Sequence, residues 1–358
     1  NVKGCWNLGS CGMGCPTNAK QSMLLTTVPT ALGLGATLVV NTRATRLNIQ
    51  NGRVTSVSAE YVDKKSAPYQ DSIAKSAIEI KCGHVVVAGG AINSPALLLR
   101  SQAPDPHDRL GIRTFLHPVV MSSALMAQRV EGWAGAPQTI YSDHFLGTQA
   151  IDGPMGYKLE APPIHPVIFA SSIPGFGEVS SGMLKTFAHQ SIMLALLRDG
   201  FAPASAGGQV SLRPDGSPSL AYSLNDFVMD GARRALLSMA EIQFAGGAKE
   251  VLPVHEQAQP YTSWAQAKAA ITQMPMVPLQ TRVVSAHVMG GCGMAASPEL
   301  GVVRPDGVHW QIANLSVHDG SLFPTSIGAN PQLSIYGLVN RLTQDLIGRL
   351  GGKAEVLA

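Results

Sequence analysis

The chain has 358 residues, 45% of them hydrophobic and 14% charged, with 37 glycines, 24 prolines and a formal net charge of +3. That length allows two domains or one large one, and the composition is that of a loop-rich globular protein rather than a disordered one. The small net charge and the lack of a basic run argue against nucleic acid as a partner, and no apolar run reaches the ~18 residues of a membrane-spanning helix. The chain opens Asn1-Val2-Lys3-Gly4-Cys5, which is neither a methionine start nor a targeting sequence. Cytoplasm and periplasm both stay open.

Cys5, Cys11 and Cys15 come first, spaced C-x5-C-x3-C in a glycine-rich stretch and followed by Pro16. Met23 to Leu34 is a mostly apolar, helix-compatible run closed by Gly33 and Gly35. Residues 36–90 predict a β-meander. Ala36 to Val40 reads as one apolar strand, Asn51-Gly52 as a hairpin turn and Val54 to Tyr61 as an alternating strand. Short strands follow at Ile78 to Ile80 and Val85 to Val87. Gly89-Gly90 then leads into Ala91-Ile92-Asn93-Ser94-Pro95 and a leucine-rich helix to Arg100. A strand, a Gly-Gly turn and a helix start suit a phosphate or ribityl chain. Ser94 is the expected N-cap and Pro95 the first helical residue. From Ile112 to Arg282 prolines, aromatics and short strand-like runs alternate. Within that stretch Asp230 to Ala245 predicts an amphipathic helix, with Ala235, Met239, Ile242 and Phe244 for its apolar side. Leu333 to Leu350 is a final helix.

The densest chemistry lies between Val284 and Arg341. His287 sits among Gly290, Gly291 and Gly293, where backbone can approach a large ligand closely. A histidine there can move a proton near neutral pH. The order H-x-x-G-x-C-x-M (His287 to Met294), N-L-x-V-x-D-G-S (Asn314 to Ser321) and A-N-P (Ala329 to Pro331) resembles the C-terminal signature of the glucose-methanol-choline oxidoreductases. The segment G-A-I-N-S-P-x-L-L at 90–98 resembles a second signature of that family, and it departs at Gln102, where the family usually has glycine.

The resemblance implies a flavoenzyme that oxidises an alcohol. His287 would be the base and Asn330 the second polar residue, orienting the substrate oxygen without acting as a base itself. Asp319 and Gly320 would approach the ribityl-pyrophosphate of FAD. Pro331 and Gln332 would lie near the flavin ring, and Gly90, Asn93 and Ser94 near the phosphates. Ala44 would touch adenine. The strand–G-x-G-x-x-G–helix fingerprint that opens the family is not found here, so the expectation is the C-terminal part of a longer protein. The implied fold is mixed α/β. Residues 1–111 would be part of a Rossmann-like FAD-binding domain and 112–283 an antiparallel-sheet substrate domain. Residues 284–358 would return to the first domain. A non-catalytic fragment lacking its adenosine cradle is the alternative from another class.

Five cysteines cannot all pair within one chain. Cys82 and Cys292 read as buried thiols. Cys11-x3-Cys15-Pro16 has the ending of ferredoxin-type loops, and one bacterial branch of the family, FAD-dependent glucose dehydrogenase, resembles this spacing and carries an iron–sulfur cluster. The expectation set against this is three loop thiols or one disulfide. A cluster would pass electrons to an acceptor such as a cytochrome or quinone; without one, an oxidase using O2 is the alternative. The alcohol itself, whether sugar, polyol, sterol or long-chain, stays open.

Overall fold

The computed structural model describes residues 2–62, 77–135 and 138–353. Its helices are α1 (Thr27–Gly33), α2 (Gly90–Arg100), α3 (Pro166–Ser172), α4 (Glu178–Lys185), α5 (Asp226–Ala245), α6 (Trp264–Gln273) and α7 (Gln332–Arg349). Strands up to the middle of the chain are β1 (Thr42–Gln50), β2 (Arg53–Tyr61), β3 (Ala77–Lys81), β4 (Val85–Val87), β5 (Thr114–Phe115), β6 (Val119–Met126), β7 (Tyr141–Ser142) and β8 (Tyr157–Glu160). Beyond them come β9 (Gln190–Leu197), β10 (Gln209–Leu212), β11 (Pro218–Ala221), β12 (Ala248–Pro253), β13 (Met289–Gly290) and β14 (Leu315–Val317). None of the described helices is long and apolar enough to cross a membrane. The fold is mixed α/β, as the family resemblance implies.

The chain forms two compact units, each stitched from three segments. The first comprises Asn1–Leu38, Pro118–Arg198 and Leu224–Val284. Its frame is a five-stranded antiparallel sheet in the order β12-β6-β9-β8-β7. β6 and β9 are nearly continuous apolar runs, because both faces of their sheet are covered. Helix α5 packs Val228, Ala232, Ala235, Leu236 and Met239 against the sheet residues Val120, Leu159 and Leu197. Asn225 caps it, its side chain accepting from the Val228 N–H at 3.1 Å. The helix therefore starts four residues before the expected Asp230. Ile242, expected on the apolar side, is 40% exposed. Against the sheet's other hydrophobic cluster lie Ile164, Phe169, Ile173 and Met183.

The second unit comprises Val39–His117, Asp199–Ser223 and Ser285–Ala358. The sequence divisions at 111/112 and 283/284 do not set Asn1–Leu38 with the first unit or Asp199–Ser223 with the second, as this partition does. Here β1, β2 and β3 form an antiparallel meander. Asn51 and Gly52 turn its first hairpin with φ of 49° and 70°, the doubly positive pair of a tight hairpin. That two-residue turn sets Gln50 opposite Arg53, and two compensating irregularities along the ladder leave Thr42 opposite Tyr61. Ala36 to Val40, expected as a strand, falls beyond this ladder and is exposed loop. β4 and β14 run parallel, Leu315 opposite Val85. Asn314 binds them to β2, its amide accepting from Val54 N–H at 2.8 Å and donating to the carbonyls of Val54 and Gly83. Leu47, Val54, Leu98, Leu315 and Val317 meet in this unit's core.

Candidate active site

Two glycine segments leave the carboxyl ends of β4 and β14 side by side. In parallel sheets this is where ligands gather. After β4 comes Gly89-Gly90, with Gly90 at φ 77°, and then α2. A Cβ on Gly90 would meet nothing within 4 Å, so this helix start faces open space. After β14 comes Asp319-Gly320-Ser321, where Asp319 caps a single 3-10 turn, Gly320–Leu322. The Asp319 carboxylate joins the two segments. One oxygen accepts from the Gly90 N–H at 2.8 Å and the Ser94 hydroxyl at 2.5 Å. The other accepts from the Ser321 N–H and hydroxyl. Asp319 thus shapes the cradle through four protein donors. Ser94 is not the expected N-cap: α2 starts at Gly90, and the Ser94 hydroxyl reaches back to accept from the Gly89 N–H at 2.8 Å. Pro95 lies inside the helix rather than at its first position.

His287 lies two residues before β13, which pairs with β5 as Met289 opposite Phe115 and Gly290 opposite Thr114. Extending that register by two residues sets His287 opposite His117. Their Nδ1 atoms are 3.1 Å apart and their ring centroids 5.2 Å apart. Gly290 is required at this pairing, because a Cβ there would sit 2.0 Å from the Arg113 carbonyl oxygen. His117 is fully buried and holds a left-handed backbone, φ 52°. The buried Asp199 carboxylate accepts from the Leu116 and His117 N–H groups, each at 3.2 Å, and from the Tyr222 hydroxyl at 2.8 Å. Burial pushes the Asp199 carboxyl above its usual range, against the pull of the Tyr222 hydrogen bond. Burial and the adjacent Asp199 push the Tyr222 phenol up as well. The sequence reading missed His117, Asp199 and Tyr222. The one local signal was a histidine ahead of Pro118 in an apolar run.

Asn330 is half-buried immediately before Pro331, which opens α7. Gln332 is exposed in the first turn of that helix and donates to the Tyr336 hydroxyl at 2.6 Å. Gly320 is buried and Asn93 is exposed. Ala44 lies on β1, next to Thr45, whose carbonyl accepts from Arg100 at the far end of α2. An 11-residue helix is ~16 Å long, so Ala44 stands well away from Gly90. Cys292 is fully buried within the histidine motif, and burial, reinforced by the Asp319 charge, keeps its thiol protonated. All the candidate flavin and catalytic residues fall in the second unit, and the three N-terminal cysteines fall in the first.

Of the two readings of those cysteines, the cluster finds no support. Among the described residues no group of three or more His, Cys, Asp or Glu is placed to hold a metal ion. Cys5, Cys11 and Cys15 line one small pocket, but Cys5 and Cys15 turn to close neighbours, Cys5 to Asn7 and Cys15 to the Thr17 hydroxyl. Backbone contacts tie the loop down. Lys3 N–H donates to Ala19 O at 2.8 Å, and Leu8 bridges to Gly135. Gly9 packs so closely on Trp133 that a Cβ would lie 1.7 Å from its carbonyl oxygen. The Lys20 backbone and the Thr17 hydroxyl lower the Cys15 thiol to about 7.

Comparison with known proteins settles the family. Two family models, each described as GMC oxidoreductase, match this chain, an N-terminal one over residues 1–119 and a C-terminal one over 203–338. The chain belongs to the GMC oxidoreductase family. The N-terminal match corrects the expectation that only the family's C-terminal part is present. An uncharacterised GMC-type oxidoreductase of Sinorhizobium fredii is 25% identical over 342 residues, covering 95% of this chain and 63% of that one. Long-chain-alcohol oxidase FAO4A of Arabidopsis thaliana is 28% identical over 270 residues, covering 71% of this chain and 35% of that one. The 2-methyl-1,2-propanediol dehydrogenase of Mycolicibacterium austroafricanum is 25% identical, covering 92% of this chain and 57% of that one. The chain spans about half the length of the curated relatives it matches. Among solved structures, a formate oxidase of Aspergillus oryzae RIB40, studied for its FAD modification, shares the fold. Its TM-score is 0.63 at 15% identity, covering 87% of this chain and 61% of that one.

Proposed function

We propose that this chain carries the reaction centre of an FAD-dependent alcohol oxidoreductase. The carrying observation is that β4 and β14, a parallel pair, deliver both glycine segments to one end, in the unit that also holds His287 and Asn330. The open space at Gly90 and the clamped Asp319 turn fit a phosphate–ribityl chain laid across backbone. Gly90, Asn93, Ser94 and Gly320 would hold FAD there, with Asp319 fixing the turn and with Pro331 and Gln332 at the head of α7. FAD, when bound, supplies the acceptor for the hydride of the alcohol carbon. His287 takes the hydroxyl proton, and Asn330 orients the oxygen as charge develops on it.

The named relatives include an alcohol oxidase and a diol dehydrogenase, which supports an alcohol as substrate. Among the described residues the cysteines are not grouped as ligands, so an iron–sulfur relay gives no support to a dehydrogenase over an oxidase. The electron acceptor is therefore a matter for measurement, by oxygen uptake against dye reduction. Stopped-flow flavin reduction by a primary alcohol or diol tests the centre. Replacing His287 with Ala should keep the flavin spectrum and slow reduction ~10²–10⁴-fold. A rate within twofold of wild type removes His287 as the base.

A further inference from the structure

We infer that His117 is a positioning residue that fixes the tautomer of His287 and stabilises its charged form. The inference rests on the reading of His287 as the base. A neutral imidazole carries one N–H, so a hydrogen bond between two Nδ1 atoms 3.1 Å apart needs one proton between them. If His117 donates, the His287 proton sits on Nε2, which then cannot accept from an alcohol. If His287 donates, its Nε2 carries no proton and can accept, and this is the arrangement a base requires. When Nε2 takes the hydroxyl proton, His287 carries protons on both nitrogens. Its Nδ1–H then donates to His117 as a cation, and the hydrogen bond strengthens. The bond is thus worth more as the reaction proceeds than before it, which is the condition for accelerating the step.

The placement of His117 is constructed from several directions. The β5–β13 register puts the rings opposite each other. Asp199 grips two successive N–H groups at 116 and 117, and the Ser285 hydroxyl donates to the Leu116 carbonyl between them. The Ser326 hydroxyl donates to the Asp199 carbonyl at 2.7 Å, and Tyr222 holds its carboxylate. Phe115 is wedged so closely that a Cβ at Gly200 or Gly207 would lie 2.7 Å from its ring. A non-glycine residue held at φ 52° is strained and persists only where its surroundings over-determine it.

The test combines a spectroscopic and a kinetic reading on the FAD-loaded full chain. Long-range proton–nitrogen spectra of ¹⁵N-histidine-labelled protein report the tautomer of His287, with His287→Ala assigning its signals. Wild type should show His287 with its proton on Nδ1. His117→Leu should shift that proton toward Nε2 and slow flavin reduction by about 10- to 100-fold, ~1.4–2.7 kcal/mol, with flavin binding unchanged. His117→Gln, whose amide oxygen can accept from Nδ1–H, should recover the rate to within about fivefold of wild type. His287 found with its proton on Nε2 in wild type overturns the inference, even if His117→Leu fails to fold. So does a folded His117→Gln as slow as His117→Leu, or a His117→Leu at the wild-type rate. A fast His287→Ala would instead overturn the base reading itself, which separates the two failures.

Discussion

At the scale of single residues, environment decides which side chains react. Cys15 and Cys292 are the same group in opposite settings. Nearby N–H and hydroxyl donors favour the Cys15 thiolate, while burial suppresses that of Cys292 and, less strongly, that of Cys82. Iodoacetamide at pH 7.5 should therefore label Cys15 well before Cys82 or Cys292, as read by peptide mass mapping over time. Labelling of Cys82 first would mean that the donors around Cys15 are not in place. His309 is a second case. It is 2% exposed, its Nδ1 accepts from the Gln311 N–H at 3.1 Å, and burial lowers its pKa to about 4. An unfolded histidine titrates near 6.5, so as pH falls the unfolded chain takes up the proton first. The stability this group supports is complete above about pH 6.5 and is lost as pH falls toward 4, on the order of 3 kcal/mol. His84 and His318, also lowered by burial, add in the same direction. Melting temperature followed from pH 7 to 4 should fall, and His309→Asn, which keeps an acceptor near Nδ1, should flatten that fall. Equal slopes in the two proteins would rule out His309 as a contributor.

At the scale of elements, α2 shows both what the sequence displays and what it hides. The strand, Gly-Gly turn and leucine-rich helix were legible because their signals are local. The helix start was misread by about one turn because Ser94 looks like a cap. Its hydroxyl in fact serves Asp319, 225 positions away, and no local rule can show that. Likewise Asn51-Gly52 announces its hairpin, but the apolar stretch 36–40 imitates a strand and has no partner once the turn sets the ladder. The cysteine spacing resembles that of a cluster loop, but spacing carries no information about where thiols point. The His117–His287 pair, 170 positions apart, is visible only after β5 and β13 are laid together. Gln102, where the sequence departs from the family's usual glycine, follows the C-cap Ser101 of α2 and has φ 51°. An L-residue there carries left-handed strain that glycine would not. Gln102→Gly should raise stability by about 0.5–1 kcal/mol in urea unfolding, the relief of strain exceeding glycine's extra entropy in the unfolded chain. A loss of stability would mean that the Arg46 to Gln102 hydrogen bond at 3.3 Å outweighs the strain.

At the scale of the whole molecule, each unit is assembled from three stretches of sequence that other stretches interrupt. The parallel pairing of Val85 with Leu315 spans 230 positions. Translation proceeds at ~5–20 residues per second, so β4 would leave the ribosome roughly 10–50 seconds before its partner strand. During that interval three consecutive valines offer an unpaired backbone edge, a ready template for another nascent chain. The same arrangement that brings two glycine turns to one end thus gives the newborn chain an adhesive edge until β14 is made, the period in which a chaperone's grip matters most.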